Sequence, residues 1–199
     1  ATPKNTSGYA IRTDSNSSPS AADAWYYTTI DKTSSDILLG KYVSMEVDSN
    51  YGLHIATQDS NNGDLYYLYL TWDSTNNVYK EQCCVLVDSA NSVGKWTDIK
   101  LTVPSASGLL AYPVISYVDG TNQETVKGIR AAFVSSASSA TAGTWEHMMV
   151  PCVSATEDAR TTLAMNGTTG VTDGGSKTSR FCIGYKSSYL DTVFLRGEE

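Results

Sequence analysis

The sequence predicts an all-β protein built from stacked four-stranded antiparallel sheets, and three observations carry that expectation. Short apolar and β-branched runs alternate with turn-rich polar segments along the whole chain. No 3.6-residue apolar periodicity of useful length occurs. One arrangement of strands and turns, clearest over 40–70 (GKYVSMEVDSNYGLHIATQDSNNGDLYYLYL), returns near residue 94 and again near residue 160.

The elements follow in order. Tyr9 to Arg12 predicts a short strand, closed by the turn-rich DSNSSPSAAD, and Trp25 to Ile30 (WYYTTI) a second, rich in aromatic and β-branched residues. In the first full unit Val43, Met45 and Val47 alternate with Ser44 and Glu46, the period-2 pattern of a strand with one apolar and one wet face. A turn at 48–52 leads to Leu53–Thr57, apolar on both faces as in a packed stack. The Asn62-Gly63 dipeptide marks a hairpin into Leu65–Leu70, and Val78–Val87 supplies a fourth strand. The second unit opens with Gly94-Lys95-Trp96 where the first has Gly40-Lys41-Tyr42; Ile99 takes the place of Met45, and Pro113–Tyr117 that of Leu53–Thr57. Val126–Phe133 and Trp145–Val150 complete it. In the third, Arg160–Met165, Phe181–Tyr185 and Leu190–Leu195 are strands, the first two joined by a long glycine-rich loop, NGTTGVTDGGSKTS. The units run roughly 1–39 (partial), 40–93, 94–159 and 160–199 (partial), within a single repeat domain.

Four strands recurring every roughly 55 to 65 residues predict β-propeller-like blades, about three blade-equivalents, with a β-sandwich as the alternative. A sheet of this kind cannot bury both faces alone and must stack on neighbours. Ile55, Ile115 and Ile183 are expected to face one neighbour; His54, Val114 and Cys182 the other. About three blades fall short of the roughly four to eight that close a ring. The chain therefore reads as a mature or excised segment of a longer protein, as one that copies or partners complete, or as sheets that stack openly, in each case with strand edges open for pairing.

The segments GKYVSMEVDSNYGLHIATQDSNNGDLYYLYL and VGKWTDIKL…YPVISYVDG resemble the blade repeats of large secreted bacterial propeller proteins. That pattern runs Gly-Lys-Tyr, a Ser-apolar-x-apolar-Asp strand, a His-Ile-x-Tyr strand, then Leu-Lys-Tyr-Ala. Asp48 keeps the aspartate, whereas Val103-Pro104 replaces it in the second unit; Thr57 stands where Tyr117 and Tyr185 keep the tyrosine. The resemblance implies a fold and hardly constrains function.

Composition narrows the function classes. A net charge of −7 and 18% charged residues, with Lys and Arg scattered, argue against a nucleic-acid partner and against gripping an anionic membrane. No apolar run is long enough to span a bilayer as a helix. Abundant Ser, Thr and Asn, with 13 Tyr against 4 Trp and 3 Phe, suits a secreted or cell-surface protein with wet, aromatic surfaces. No GxSxG, HExxH or phosphate loop occurs, nor the S-x-D-x-G-x-x-W box of sialidase-like propellers, and Arg12, Arg130, Arg160, Arg180 and Arg196 form no pattern for an anionic substrate. No cofactor and no catalytic group is expected.

The residues singled out are therefore structural or binding ones. Cys83, Cys84, Cys152 and Cys182 would permit two disulfides in an oxidising compartment, but they occupy places where sister units carry Val, Met or Leu and read first as small buried hydrophobes. His54 and His147 lie within strands at core-like positions. Asp59, Asn61, Gly63 and Asp64 alternate oxygen groups as a calcium loop would, yet lack the distal Glu; turn chemistry explains them. Sequons stand at Asn5, Asn16 and Asn166. The expected function is a non-enzymatic extracellular structural or assembly protein that self-associates or completes a propeller with another protein chain. The alternative is a carbohydrate-binding or carbohydrate-active propeller domain, with a glycan stacked on Trp25, Trp72, Trp96 or Trp145.

Overall fold

A computed structural model describes the backbone at residues 7–12, 25–30, 37–76, 78–90, 92–101, 113–120, 127–134, 145–155, 160–165, 171–173, 176–178, 181–186 and 191–196. Its side chains are described at 37–76, 78–90, 92–101, 113–120, 145–147, 160–164 and 183–184. Every regular element among the described residues is a strand, and none is a helix. Strands β3 (Leu39–Val47), β4 (Leu53–Asp59), β5 (Leu65–Asp73) and β6 (Val78–Asp88) form one antiparallel sheet in sequence order. A second four-stranded sheet repeats the order with β7 (Lys95–Leu101), β8 (Pro113–Asp119), β9 (Lys127–Val134) and β10 (Trp145–Ala155). The third sheet holds β11 (Thr161–Met165), β14 (Phe181–Lys186) and β15 (Asp191–Arg196). β1 (Ser7–Arg12) pairs with β2 (Trp25–Ile30), the match of Ser7 to Ile30 being closed by Arg12 opposite Trp25. The glycine-rich stretch expected as a loop contains a small hairpin, β12 (Val171–Asp173) with β13 (Ser176–Thr178). Val171 pairs with Thr178, Thr172 with Lys177 and Asp173 with Ser176.

The registers of the three larger sheets correspond at the level of single residues. Met45 lies opposite Ile55, Ile99 opposite Ile115, and Leu163 opposite Ile183. Tyr42, Trp96 and Arg160 are therefore equivalent positions, as are Val43, Thr97 and Thr161. Both of the first two sheets break their inner ladder at this point, between Lys41 and Ser44 and between Lys95 and Asp98. The break coincides with a left-handed backbone at Tyr42 (φ 52°) and at Trp96 (φ 52°). An aromatic residue there pays a steric penalty of about 1 kcal/mol or more. It recurs at the same register position of two sheets.

The turns of the first sheet share one device. Asp48, Asp59, Asp73 and Asp88 each sit at or just past a strand end, and the Oδ1 of each accepts the backbone N–H two residues on, from Asn50, Asn61, Thr75 and Ala90 at 2.8, 3.0, 2.9 and 3.1 Å. Such Asx turns let a carboxylate stand in for the ladder acceptor that a chain reversal loses. An Asp-Ser dipeptide stands at all four places, so this punctuation was open to sequence reading. Asp59 is wholly buried, and its carboxylate also accepts from Leu38 N at 2.7 Å and Asn62 Nδ2 at 2.7 Å. Backbone and amide donors saturate it, which is turn chemistry.

The core lies between the first two sheets. Ala56, Leu65, Tyr67, Val87, Val93, Ile99, Ile115 and Tyr117 form one buried cluster that draws on both. Gly94 permits the close approach at the connector: its backbone is left-handed (φ 79°), and a Cβ would come within 3.1 Å of Leu65 Cα. On the far face of the first sheet, Leu39, Leu53, Ile55, Leu68 and Leu70 form a separate buried cluster. Ile55 and Ile115 thus both face backwards along the stack, and Ala56 faces forwards with His54, as strand alternation demands.

One strand departs from the expectation. Ser44 and Glu46 of β3, expected on the wet face, point at the second sheet, where Ser44 Oγ donates to Thr97 Oγ1 at 3.2 Å and Lys100 Nζ donates to Glu46 Oε2 at 2.6 Å. Val43, Met45 and Val47, the apolar set, are 46%, 46% and 48% exposed. Their equivalents Thr97 and Ile99 are 9% and 0% exposed. Alternation separates the two sets correctly; the neighbour packs on the polar one.

Candidate functional site

Two polar clusters flank the core, each made of a tyrosine, a histidine and an aspartate. In the first, His54 comes from β4, Tyr67 from β5, and Asp48 from the turn that closes β3. Asp48 is ionised: burial alone would raise its pKa, but hydrogen bonds from Gly52 N–H, His54 and Asn50 N–H outweigh that and hold it below the usual value. A carboxylate only accepts, so His54 donates from Nε2 to Asp48 Oδ2 at 3.2 Å, and its Nδ1 accepts from the Tyr67 hydroxyl at 2.8 Å. Tyr69 donates its hydroxyl to the same Oδ2 at 3.3 Å. Burial pushes the His54 pKa down, against the pull of Asp48, which keeps the ring neutral in the tautomer that this network needs. Burial likewise drives the Tyr67 hydroxyl far above its ordinary value. Gly52 is required here, because a Cβ would stand 2.6 Å from Asp48 Oδ2 and 2.6 Å from the Tyr69 ring.

This order, tyrosine to histidine to aspartate, has the polarity of a general-base relay. Its tyrosine is 0% exposed and its histidine 3%, however, so the proton path ends inside the core. Oδ1 of Asp48 is filled by Asn50 N and Gly52 N at 2.8 and 2.7 Å, and Oδ2 by His54 and Tyr69. The cluster fixes the β3–β4 corner against β5.

The second cluster runs the other way. Tyr117 of β8 donates its hydroxyl to Asp88 Oδ2 at 2.6 Å, and His147 Nδ1 of β10 lies 3.1 Å from the same hydroxyl oxygen. With the tyrosine proton given to Asp88, the oxygen is left to accept from His147 Nδ1–H. His147, expected in the core, is on the exposed side of β10. Its Nδ1 nevertheless reaches the Tyr117 hydroxyl of β8, two strands away in the same sheet.

A second constellation lies along the inner edge strands β3, β7 and β11. The Thr97 hydroxyl donates to Tyr42 O, and one repeat later the Thr161 hydroxyl donates to Trp96 O at 2.6 Å. Each clasp has a hydroxyl companion, Ser44 for Thr97 and Ser116 for Thr161, the latter at 3.0 Å. The rings behind the clasps form a column: Tyr42 and Trp96 have centroids 4.8 Å apart, and the Arg160 guanidinium carbon lies 4.5 Å from the Trp96 centroid. Asp98 adds a third tie by accepting from Leu163 N at 2.7 Å and from the Thr162 hydroxyl at 3.2 Å. The sequence named Trp96 as an aromatic platform and missed its role as a rung. The signal was there, since Gly40-Lys41-Tyr42 and Gly94-Lys95-Trp96 align by eye.

The remaining residues singled out from sequence are dispersed. Trp72 is 38% exposed and meets Tyr79 edge-on at 5.1 Å, on the hairpin that carries Asp73, Asn76 and Lys80. Trp145 packs against the core, 5.3 Å from the Tyr67 ring, and its buried indole Nε1 has no hydrogen-bond partner among the described residues. Cys83 lies against the cluster between the sheets and Cys84 against the cluster behind the first sheet, so the adjacent pair points to opposite faces. Trp25, Cys152 and Cys182 lie on strands whose side chains are outside the described residues, and Asn5, Asn16 and Asn166 are outside them altogether. Among the described residues no group of three or more His, Cys, Asp or Glu side chains is placed to hold a metal ion, and no helix is long and apolar enough to cross a membrane. Comparison with protein-family models, with curated proteins and with solved structures gives no match.

Proposed function

We propose that this chain is a non-enzymatic, extracellular structural or assembly module, a β-propeller-like series of stacked sheets that associates with further protein chains. The observation that carries this is the repeated seam: Thr97 on Tyr42 O and Thr161 on Trp96 O join successive sheets at equivalent positions. A sheet that stacks by rule on the next one has the makings of an assembly unit. The ordinary candidates for catalysis serve the fold, since the His54 relay is enclosed and the Asp48 carboxylate is saturated. The charge-poor, hydroxyl-rich composition supports a secreted or cell-surface setting, as does the resemblance to secreted bacterial propeller repeats. Light scattering in native buffer should find species well above the 21.4 kDa of one chain. A particle of single-chain mass at every concentration would overturn the proposal.

A carbohydrate-binding role is the second reading, favoured by one observation. Trp72 presents an exposed ring, steadied edge-on by Tyr79, beside the polar Asp73 and Asn76. Aromatic faces flanked by hydrogen-bonding groups suit sugar rings. A glycan array read with wild type and Trp72→Ala decides it: binding lost with Trp72 supports this reading, and an array without signal sinks it.

A further inference from the structure

The corner between β4 and β5 carries the dipeptide Asn62-Gly63, a pair with a chemistry of its own. Glycine has no Cβ to obstruct its backbone nitrogen and adopts backbone angles closed to other residues, so that nitrogen reaches the preceding asparagine side chain with little hindrance. The Gly63 nitrogen attacks Asn62 Cγ and a Cγ–N bond forms. The Cγ–Nδ2 bond breaks, and ammonia leaves with the proton from the attacking nitrogen. Water then opens the cyclic imide at either carbonyl, giving aspartate or a β-linked isoaspartate. Water has access, since Asn61 and Asn62 are both exposed.

In the folded chain the two reacting groups are held by one residue. Asn62 Nδ2, the leaving group, donates to Asp59 Oδ2 at 2.7 Å. The Gly63 N–H, the nucleophile, donates to Asp59 O at 2.9 Å. Asp59 is wholly buried and fixed in turn, with its own N–H on Asp64 O at 2.8 Å and its Oδ1 accepting from Leu38 N at 2.7 Å. Gly63 also reaches beyond the corner. Its backbone is left-handed (φ 76°), and its carbonyl accepts from Val93 N at 2.8 Å. Val93 lies in the connector from β6 to β7, and its own carbonyl accepts from Gln58 Nε2 of β4. The corner thus fastens the passage from the first sheet to the second.

We propose that Asn62-Gly63 is a latent deamidation site, kept closed by Asp59, whose β-linked product unfastens the connector between the first two sheets. Isoaspartate routes the backbone through the former side chain and lengthens it by one methylene. The bonds from Gly63 N–H to Asp59 O and from Val93 N–H to Gly63 O are set by the same short loop, and the lengthened loop cannot keep both. The product also loses the Nδ2 donor and sets a carboxylate against that of Asp59. The corner is already crowded with negative charge: burial, with Asp59 and Asp88 nearby, holds the Asp64 carboxyl above its ordinary pKa. Closure is therefore reversible before the reaction and lost after it.

Peptide mapping by liquid chromatography and mass spectrometry at mildly alkaline pH separates the asparagine, aspartate and isoaspartate forms of residue 62. Reaction requires both bonds to Asp59 to open, so native buffer should slow conversion about tenfold or more relative to strong urea. Asn166-Gly167 is the internal standard in urea, where the two pairs should convert at similar rates. Asp59→Asn replaces an acceptor by a donor and should raise the native rate about threefold or more, with circular dichroism to show that the variant is folded. A series in low urea needs no substitution: conversion at Asn62 should rise in step with hydrogen exchange at the Gly63 amide, because one opening exposes both. In the isolated isoaspartate form the Val93 amide, read by NMR, should exchange about tenfold faster than in fresh protein. No conversion at Asn62 even in urea overturns the site. Conversion as fast in native buffer as in urea, or a folded Asp59→Asn at the wild-type rate, overturns closure by Asp59. Unchanged exchange at Val93 in the isoaspartate form overturns the link to the connector.

Discussion

The first two four-stranded sheets share a register and a topology, yet they fill corresponding positions with different chemistry. At the second position of the inner bulge the first sheet has Val43 and the second Thr97; at the next inward position it has Met45 against Ile99. Each sheet also contributes a tyrosine to a Tyr–His–Asp cluster, but with opposite polarity. Tyr67 gives its proton to His54, which leans on Asp48; Tyr117 gives its proton to Asp88 and faces His147 as an acceptor. Repeats of this kind conserve where neighbours touch, because stacking geometry is common to all of them, while the groups that touch are free to vary as long as donors and acceptors balance.

The difference between covered and open stripes gives the largest expected effect. Ile99→Ala should cost about 2–5 kcal/mol in denaturant unfolding, since the residue is wholly enclosed. Met45→Ala, at the equivalent and half-exposed position, should cost less than about 0.5 kcal/mol. Equal losses at the two positions would erase the distinction between the two stripes.

Next comes the first polar cluster. Asp48→Ala strips acceptors from Gly52 N, Asn50 N, His54 and Tyr69 together and should cost about 2–3 kcal/mol. Tyr67→Phe leaves His54 Nδ1 buried without its donor and should cost about 1–2 kcal/mol, with the asymmetry that Asp48→Asn hurts as well. A Tyr67→Phe protein of wild-type stability would show the relay to be idle.

The clasps follow. Thr97→Val and Thr161→Val should each destabilise by about 1 kcal/mol, and by similar amounts, because each removes the same bond from equivalent seams. Calorimetry that found one neutral and the other costly would break the equivalence of the seams.

The smallest effect is on pH dependence. His54 has its folded pKa below the unfolded value of about 6.5, so the unfolded chain binds the proton more readily. Its contribution is present in full above about pH 6.5 and declines as pH falls through that value toward the folded pKa. Asp48 is also depressed when folded, so its contribution is present above about pH 3.9 and is lost as pH falls below it. His54→Gln should flatten the stability profile below about pH 6.5 and leave the more acidic limb in place; an unchanged slope would mean that another group titrates there.

Much of this was open to reading from the chain. The turns were, because an Asp-Ser pair at a strand end can cap it locally, with no help from distant residues. Strand existence was, because alternation and β-branching act over a few neighbours; only the ends moved, as at β6, β10 and β11. The Tyr–His–Asp clusters were not, since Asp88, Tyr117 and His147 come from three strands of two sheets and no spacing links them. The hairpin within the glycine-rich stretch was missed because glycine supplies both loops and tight turns.

Sequence alone determined that the chain makes antiparallel sheets, that the same sheet recurs, and that Val43, Met45 and Val47 share a face opposite to Ser44 and Glu46. Only the tertiary structure decided which of those faces meets a neighbour. A period of two is symmetric between the sides of a strand, and hydrophobicity favours burial of the apolar side only where something is present to cover it. Ser44 and Glu46 have Thr97 and Lys100 to receive them, so the polar side closed on the second sheet and the apolar side is left about half-exposed.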